Sequence, residues 1–482
     1  MKKWMWYEQI MFVNTLLKNE NNISEKQLRN LYTKKDYRAL LRNVIEIIKK
    51  QPNESKIIYR HQLNQLSDLL NKIETIIDKK RLAPGIVLTY GTTNNQDILV
   101  HGKKQEVIYN NTTNTFEKDE QDIELNCLFD LASTSKLFTA ISILQLAQNN
   151  YLDLEKTIGD YLDTFPNIKD VKIIDLLTFN TPIKTDERID NAKNQTDAEN
   201  ILKSIHPYQS NSTFMYTDMG CLILRFLIEK ITGISLNEYI HNHIFIPCNM
   251  TSSFLNVPED YLNKVVNENY SSIVNSNGQI ITNFDTYPGK VHDPKANILG
   301  HNQGFASGHA GYFSSANDME QLAINLLNRK LLNEEYLLML GQGNNNSDLN
   351  TEQDGTKSRH GILNFTKQLN NQFLSVQSFL SGKSFIQPGF AGTTFCLDPL
   401  NNVYAFSATN RLHNRIYQIN QNQDGIITLP SGERQYEGKT ISSTFTKEST
   451  EIIKNAMEIS LQMKLLEQYL NDTNELKLIR EI

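Results

Sequence analysis

Cysteine, tryptophan and long apolar runs are scarce in this chain, and each scarcity narrows what it can be. Four cysteines occur in 482 residues (Cys127, Cys221, Cys248 and Cys396), without paired spacing. That argues against a disulfide scaffold and predicts free, mostly buried thiols of a reducing compartment. No run of 18 apolar residues exists, so a transmembrane span is not expected. The apolar stretch after Met1-Lys2-Lys3 is broken by Glu8 and Gln9, so it gives no clear signal peptide. An excess of positive charge is also missing: 48 Lys and Arg stand against 54 Asp and Glu, a net charge of −6 without a basic block. Nucleic acid is therefore not an expected partner. His292, His301 and His309 fit no helix-borne zinc spacing and have no accompanying cysteine pair, so neither a metal nor another cofactor is expected.

What is present is a chemically pointed segment, Phe129-Asp130-Leu131-Ala132-Ser133-Thr134-Ser135-Lys136-Leu137-Phe138-Thr139-Ala140. Ser133 and Lys136 stand three residues apart at the head of an apolar helix, and such positions share a face. A serine hydroxyl becomes a useful nucleophile when a neighbour takes its proton. A lysine can do so if burial or nearby charge alters its pKa. The bland alternative is an exposed helix start capped by Ser133 or Thr134. Leu137, Ile141, Leu144 and Ala147, with Ile143 and Leu146 beside them, make the helix apolar around much of its girth, so it reads as buried.

Two further segments bear on this. Tyr216-Thr217-Asp218-Met219-Gly220 follows Phe214-Met215, 83 residues beyond the serine (216 − 133). Phe385-Ile386-Gln387-Pro388-Gly389-Phe390-Ala391-Gly392-Thr393-Thr394 reads as a strand leading into Asn402-Val403-Tyr404-Ala405-Phe406-Ser407-Ala408-Thr409-Asn410-Arg411. Pro388 belongs at the start of a strand or on an edge.

Together these segments resemble the serine β-lactamase-related family: class C β-lactamases, D-Ala-D-Ala carboxypeptidases and esterase-like penicillin-binding proteins. The resemblance covers roughly 390 residues, from about 80 onward, a length able to bury a substantial core. It includes Leu82-Ala83-Pro84-Gly85-Ile86-Val87, an opening strand, with Gly102 expected to end the next one. It also takes in Ile173-Ile174-Asp175-Leu176-Leu177-Thr178, Pro247-Cys248-Asn249-Met250-Thr251, Val291-His292-Asp293-Pro294-Lys295-Ala296 and Gly308-His309-Ala310-Gly311-Tyr312-Phe313-Ser314-Ser315.

The fold so implied is α+β (an α/β sandwich), a mainly antiparallel sheet flanked by helices. An all-helical region is inserted at about 130–325. The resemblance makes Ser133, Lys136 and Tyr216 catalytic. It makes the backbone N–H groups of Ser133 and Phe390 the oxyanion hole, and places Asp218, Gln387, Gly389 and His309 at the substrate. Two departures matter. Asp218 stands where asparagine is usual, replacing an amide donor by a carboxylate that helps to hold Lys136 charged. Gln387 stands where the family has lysine or histidine, so a substrate carboxylate should bind poorly.

The expected function is a serine hydrolase working through an acyl-enzyme on an ester or amide. An esterase or D-amino-acid peptidase is favoured over a β-lactamase, and the substrate is a small molecule or peptide of cell-wall type. The competing reading is a catalytically degenerate binding or regulatory protein on this scaffold, supported by the changes at Asp218 and Gln387. Cysteine usage suggests the cytoplasm, family analogy the cell envelope or exterior. Residues 1–60 are expected to form a helical extension, with a capping box at Ser24-Glu25-Lys26-Gln27. Residues 61–482 should form the hydrolase domain. Asn- and Gly-rich residues 341–357 and residues 420–438 are expected to be loops. The stripe Ile452, Ile453, Ala456, Ile459, Met463 and Leu466 is expected to be the last helix.

Overall fold

The structure is a computed structural model. It describes residues 66–472 apart from 111, 114, 209–215, 267–270, 275–279, 284–287, 343–349, 352–356, 359, 367–375, 377–378, 414–425 and 429–433. The expected extension over residues 1–60 lies outside the described residues, as do Phe214 and Met215.

A seven-stranded antiparallel sheet organises the chain. Its strands are β1 (Gly85–Thr92), β2 (Gln96–Asn110), β3 (Thr115–Asp122), β4 (Phe365–Thr366), β5 (Phe385–Pro388), β6 (Thr394–Asp398) and β7 (Val403–Thr409), in the order β4-β5-β6-β7-β1-β2-β3. The first and last strand groups therefore meet at the β1–β7 pair, where Ile86 faces Thr409 and Thr92 faces Val403. Because side chains alternate along a strand, each central strand feeds two cores. Ile86, Leu88 and Tyr90 of β1, with Val403 and Ala405 of β7, pack toward the helical residues 66–77 and the C-terminal helix. Val87, with Tyr404, Phe406 and Ala408, packs the other way. Both faces are covered, which is why β1 and β7 are buried along their whole length.

On the second face lies a helical region. It contains α1 (Lys136–Gln148), α2 (Met219–Thr232) and α3 (Ala316–Leu327). The C-terminal helix α4 (Glu437–Asp472) crosses β1 and β7 on the first face, with Ile452, Ile453, Ala456, Ile459 and Met463 buried. Every residue of α1 from Lys136 to Ala147 is buried, as a helix apolar on all sides must be. A three-stranded patch joins Leu128–Asp130, Phe313–Ser315 and Ser253–Phe254. It delivers Asp130 to the start of the segment that carries Ser133.

The α+β sandwich expected from the sequence is the fold observed. Some details differ. The region at about 130–325 is not all-helical: Ile183–Lys184 pairs with His206–Pro207, and Ser271–Val274 with Ile280–Asn283. Gly102 does not end β2 but lies inside it with φ +89°, where a Cβ would come within 2.3 Å of the Pro84 carbonyl oxygen. The strand pairs with β1 up to Gly102 and with β3 beyond it, so the glycine is the crossing point rather than a terminus. The expected loops also contain short pairings, Asn350–Thr351 with Lys357–Ser358 and Ile426–Thr428 with Arg434–Tyr436. Isoleucine and threonine favour a pleated strand, which the Asn- and Gly-weighted reading overlooked. Gly341 and Gln342 follow a helix end, Glu437 and Gly438 already belong to the C-terminal helix rather than to a loop, and the other residues of those stretches lie outside the described residues. All four cysteines are free and buried. Among the described residues no helix is long and apolar enough to cross a membrane.

Candidate active site

Ser133 lies on a tight 3-10 turn, Ala132–Ser135, and the α-helix begins at Lys136. In a 3-10 turn residues i and i+3 nearly eclipse, so the two side chains meet more directly than along a regular helix. The Lys136 Nζ lies 3.0 Å from Ser133 Oγ. Ala132, just before the serine, has φ +45°, a left-handed conformation that a non-glycine residue adopts only under restraint. The restraint is Asp130, whose Oδ1 accepts the Ala132 N–H at 2.7 Å while Oδ2 accepts the His292 N–H at 2.8 Å. Burial pushes the Asp130 carboxyl up to about 6, with the two backbone donors opposing the rise and Asp293 adding to it.

Lys136 is wholly buried, and its ammonium faces three acceptors: Ser133 Oγ, Asp218 Oδ1 at 2.8 Å and the His309 carbonyl at 3.3 Å. Three donors meet three acceptors, the complete set for a charged lysine. Burial alone would lower the lysine pKa, but the Asp218 carboxylate, with Tyr216 and Cys221, outweighs it and holds the ammonium above its ordinary value. Asp218 in turn is pulled well below the usual carboxylate range: burial raises it, while Lys136, His309 and Lys295 more than compensate.

Behind this pair the charges continue. Lys295 Nζ lies 3.0 Å from Asp218 Oδ2 and 3.6 Å from Asp293 Oδ2, and Asp293 Oδ1 lies 3.0 Å from His309 Nε2. Asp218, Asp293 and His309 bring ligand-type atoms within 4.8 Å of one another. The positive charge seated between the two carboxylates is the Lys295 ammonium, so this donor set is already matched without a metal.

Tyr216 is partly buried in an aromatic nest. Its ring stacks on Phe365 (centroids 5.3 Å) and contacts Phe179 (5.0 Å) and His360 (6.0 Å), with Lys136 Nζ 5.2 Å from the ring centroid. Ser133, Asp218 and the Tyr216 ring therefore all lie around the Lys136 ammonium. Phe179 forms one wall of the nest, against Tyr216 and His360.

On the opposite side β5 lies against the nucleophile turn. Thr134 Oγ1 donates to the Gln387 carbonyl (3.3 Å) and meets Thr393 Oγ1 (2.9 Å), while Thr393 Oγ1 donates to the Leu131 carbonyl (2.9 Å). A Cβ on Gly389 would fall 2.3 Å from the Leu131 oxygen, so only glycine permits this approach. Phe390 follows in a half-exposed turn, its carbonyl accepting Arg411 Nε–H at 2.5 Å and its ring stacked under the Arg411 guanidinium.

Two expected substrate contacts are corrected. The Gln387 side chain is fully buried, and its Nε2 donates to the Ser133 carbonyl at 2.9 Å instead of facing the cleft. The His309 ring is also fully buried, against Asp293, and only its backbone carbonyl touches Lys136. Ser307 is likewise buried, donating to the Ala310 carbonyl. Sequence reasoning missed Lys295, Asp293 and Asp130. The segment Val291–Ala296 had been singled out as a resemblance, but nothing local tied it to Asp218.

A nucleophile-type serine, a buried lysine and a tyrosine in one cleft, between an antiparallel sheet and a helical region, define the class of the serine β-lactamase and transpeptidase folds. The sequence profile described as Beta-lactamase matches residues 105–423. The chain therefore belongs to the Beta-lactamase family, a family of serine hydrolases. A relative from Escherichia coli K12, described as "Putative D-alanyl-D-alanine carboxypeptidase", is 26% identical over 326 residues, 61% of this chain and 71% of the relative. Two solved structures share the fold. The β-lactamase/D-alanine carboxypeptidase of Pseudomonas syringae has a TM-score of 0.52 at 13% identity, over 75% of this chain and 99% of that one. The D-amino acid amidase of Ochrobactrum anthropi SV3 has a TM-score of 0.52 at 15% identity, over 81% and 99%.

Proposed function

We propose that this protein hydrolyses a neutral ester or amide through an acyl-enzyme on Ser133, as an esterase or D-amino-acid peptidase and not as an efficient β-lactamase. The observation that carries the reading is the 3.0 Å contact between Ser133 Oγ and the buried Lys136 ammonium. A charged lysine donates to the serine oxygen and stabilises the alkoxide as it forms. It cannot itself take the proton, so that role falls to Tyr216, whose ring centroid lies 5.2 Å from the Lys136 Nζ.

Ser133 Oγ then bonds to the substrate carbonyl carbon, and the carbonyl electrons move onto its oxygen. The N–H groups of Ser133 and Phe390 would hold that oxyanion, an interaction worth about 3–4 kcal/mol for a well-placed donor. Tyr216 returns the proton to the departing alcohol or amine. Water, giving its proton to the same tyrosine, attacks the acyl carbon, releases the acid and restores the serine.

Substrate choice follows from charge. Position 387 carries no cation, and Lys295 and Lys136 are matched by Asp218 and Asp293. The cleft is thus close to neutral, which disfavours substrates that depend on a carboxylate anchor. The relative described as a carboxypeptidase supports a peptide, such as a cell-wall fragment, as the substrate class, held here by its acyl part rather than by a terminal carboxylate.

The test is a panel of p-nitrophenyl esters, a D-amino-acid amide, a D-Ala-D-Ala peptide and nitrocefin, with wild type and Ser133→Ala. Ester or amide turnover that disappears in the variant is expected. Turnover unchanged in Ser133→Ala would refute the mechanism, and nitrocefin hydrolysis at rates rivalling the ester would refute the assignment of substrate class.

A further inference from the structure

The turn over residues 389–393 joins β5 to β6 and carries Phe390. It is closed on itself by the Gly389 N–H on the Thr393 carbonyl (2.7 Å) and the Gly392 N–H on the Gly389 carbonyl (3.0 Å). Ala391, fully buried, packs in one apolar cluster with Ala132 and Leu412. Ala132 immediately precedes Ser133, and Leu412 immediately follows Arg411. The turn, the nucleophile segment and the chain beyond β7 therefore meet at one contact.

Arg411 grips this turn. Its Nε–H donates to the Phe390 carbonyl at 2.5 Å, and its guanidinium lies 4.6 Å from the centre of the Phe390 ring. The same guanidinium lies 5.2 Å from the ring of Phe445, a buried residue of α4. Arg411 is itself buried. Thr409, at the end of β7, donates to the Gly392 carbonyl at 3.0 Å, so this end of the sheet holds the turn at two carbonyls.

We propose that Arg411 is a positioning residue for the oxyanion hole: its bond to the Phe390 carbonyl and its stack on the Phe390 ring fix the aim of the Phe390 N–H beside Ser133. For the identity of that donor this rests on the function proposed above.

The physical argument concerns freedom. An oxyanion donor is effective when it is already aimed, because it then needs no reorganisation as the charge develops. Phe390 is half-exposed in a turn, a setting in which backbone rotation is ordinarily easy. Anchors on its carbonyl and on its side chain restrain the residue on both sides of its Cα. Arginine supplies both at once, since its planar fork donates in its plane and stacks through its face. The His292 ring packs on Phe390 as well, at 5.6 Å, and the His292 N–H is bonded to Asp130, a second tie between the turn and the nucleophile segment. A purely space-filling role does not account for the residue. A buried guanidinium is costly to keep, and an apolar side chain would fill the space beside two phenyl rings. What arginine adds is the bond to Phe390.

The experiment compares wild type, Arg411→Met, Arg411→Lys and Ser133→Ala, with circular dichroism to confirm the fold. One readout is kcat/KM on a p-nitrophenyl ester. The other needs no turnover: the Kd of phenylboronic acid by calorimetry. The Ser133 oxygen adds to the trigonal boron, its proton passes to solvent, and the tetrahedral anion places an oxygen where the oxyanion would form.

In Arg411→Met, kcat/KM and boronate affinity should fall together by about 10- to 100-fold, up to the cost of a misplacement near 1 Å and short of removing a donor outright. Arg411→Lys keeps the charge without the planar fork and should recover little of the loss. A merely structural role would lower stability or the active fraction and leave the boronate Kd of the folded protein unchanged.

Unchanged boronate affinity in folded Arg411→Met would overturn the role of Arg411. Should that variant fail to fold, Arg411→Lys decides, and wild-type affinity there would overturn the role too. Phenylboronic acid that fails to bind wild type, or binds Ser133→Ala equally well, would overturn it together with the oxyanion hole. Ester turnover that survives Ser133→Ala, with boronate binding still dependent on Ser133, would overturn the proposed function alone and leave the boronate affinities to judge Arg411.

Discussion

Gln387 donates its amide to the backbone carbonyl of Ser133, across 2.9 Å. A position that supplies a cation in related proteins here braces the nucleophile from behind. Its Oε1 is buried without a partner among the described residues, so the brace leaves one acceptor unsatisfied. Replacing Gln387 by leucine removes the donor and the orphaned acceptor together. A buried hydrogen bond of this kind contributes about 1 kcal/mol, so the urea midpoint should change little while kcat falls by up to about fivefold. Because the side chain is buried behind Ser133 and not in the cleft, Gln387→Lys should leave the preference between a carboxylate-bearing ester and its neutral analogue unchanged. Steady-state kinetics on the matched pair checks both, and a changed preference in Gln387→Lys would show that position 387 reaches the substrate after all.

Asp218 tests the charge state of the buried lysine. Asp218→Asn leaves Lys136 without its counter-ion, and breaking such a pair costs about 3 kcal/mol or more. The sign with pH is fixed by the depressed Asp218 pKa. Stability from such a group is present above its unfolded value, near 4, and is lost as pH falls toward the lower folded value. The wild-type advantage over Asp218→Asn should therefore be full at pH 7 and shrink below about pH 4. Urea titrations of both proteins between pH 3 and pH 7 would measure it, and a gap that widens in acid would contradict the pairing.

Asp130 should behave in the opposite sense. Its carboxyl is pushed up to about 6 by burial. Between about pH 4 and that value the unfolded chain has lost a proton that the native state keeps, so native stability falls as pH rises. Asp130→Asn cannot accept both the Ala132 and His292 N–H groups and should be less stable throughout. Its deficit relative to wild type should narrow as pH rises from 4 to 6. Differential denaturation across that window reads it directly.

Gly389 is the contact point between sheet and nucleophile turn. In Gly389→Ala the new methyl would meet the Leu131 carbonyl and Thr393 Oγ1, at 2.3 and 2.2 Å before relaxation. The turn Ala132–Ser135 must shift, and a displacement near 1 Å can cost about 100-fold in rate. A loss of kcat/KM of that size, alongside a folded circular-dichroism spectrum, is expected.

The parts of this site that were legible in the sequence are local ones. Ser133 and Lys136 are three residues apart and declare themselves by spacing and by the apolar helix that follows. The sheet was legible because β1 and β7 are continuous apolar strands. Other features depend on which distant segments meet, and no periodicity encodes that. Lys295 lies 77 residues from Asp218 (295 − 218), and its pairing is visible only once the turn at Pro294 is folded against α2. Gln387 misled for the same reason: its neighbours in sequence suggest a cleft, while its neighbours in space are the Ser133 backbone and Pro388. Gly102 reads as a terminus in sequence because glycine usually interrupts strands, whereas in the fold it lets Pro84 pass.

Tyr216 packs against the apolar clusters on both faces of the sheet. A phenol wedged where two interiors meet registers slackness in either. Warming that loosens one layer, while leaving the other intact, would let the ring swing away from Ser133. Activity lost on heating should then vanish several degrees before the cooperative melt, and return fully on cooling.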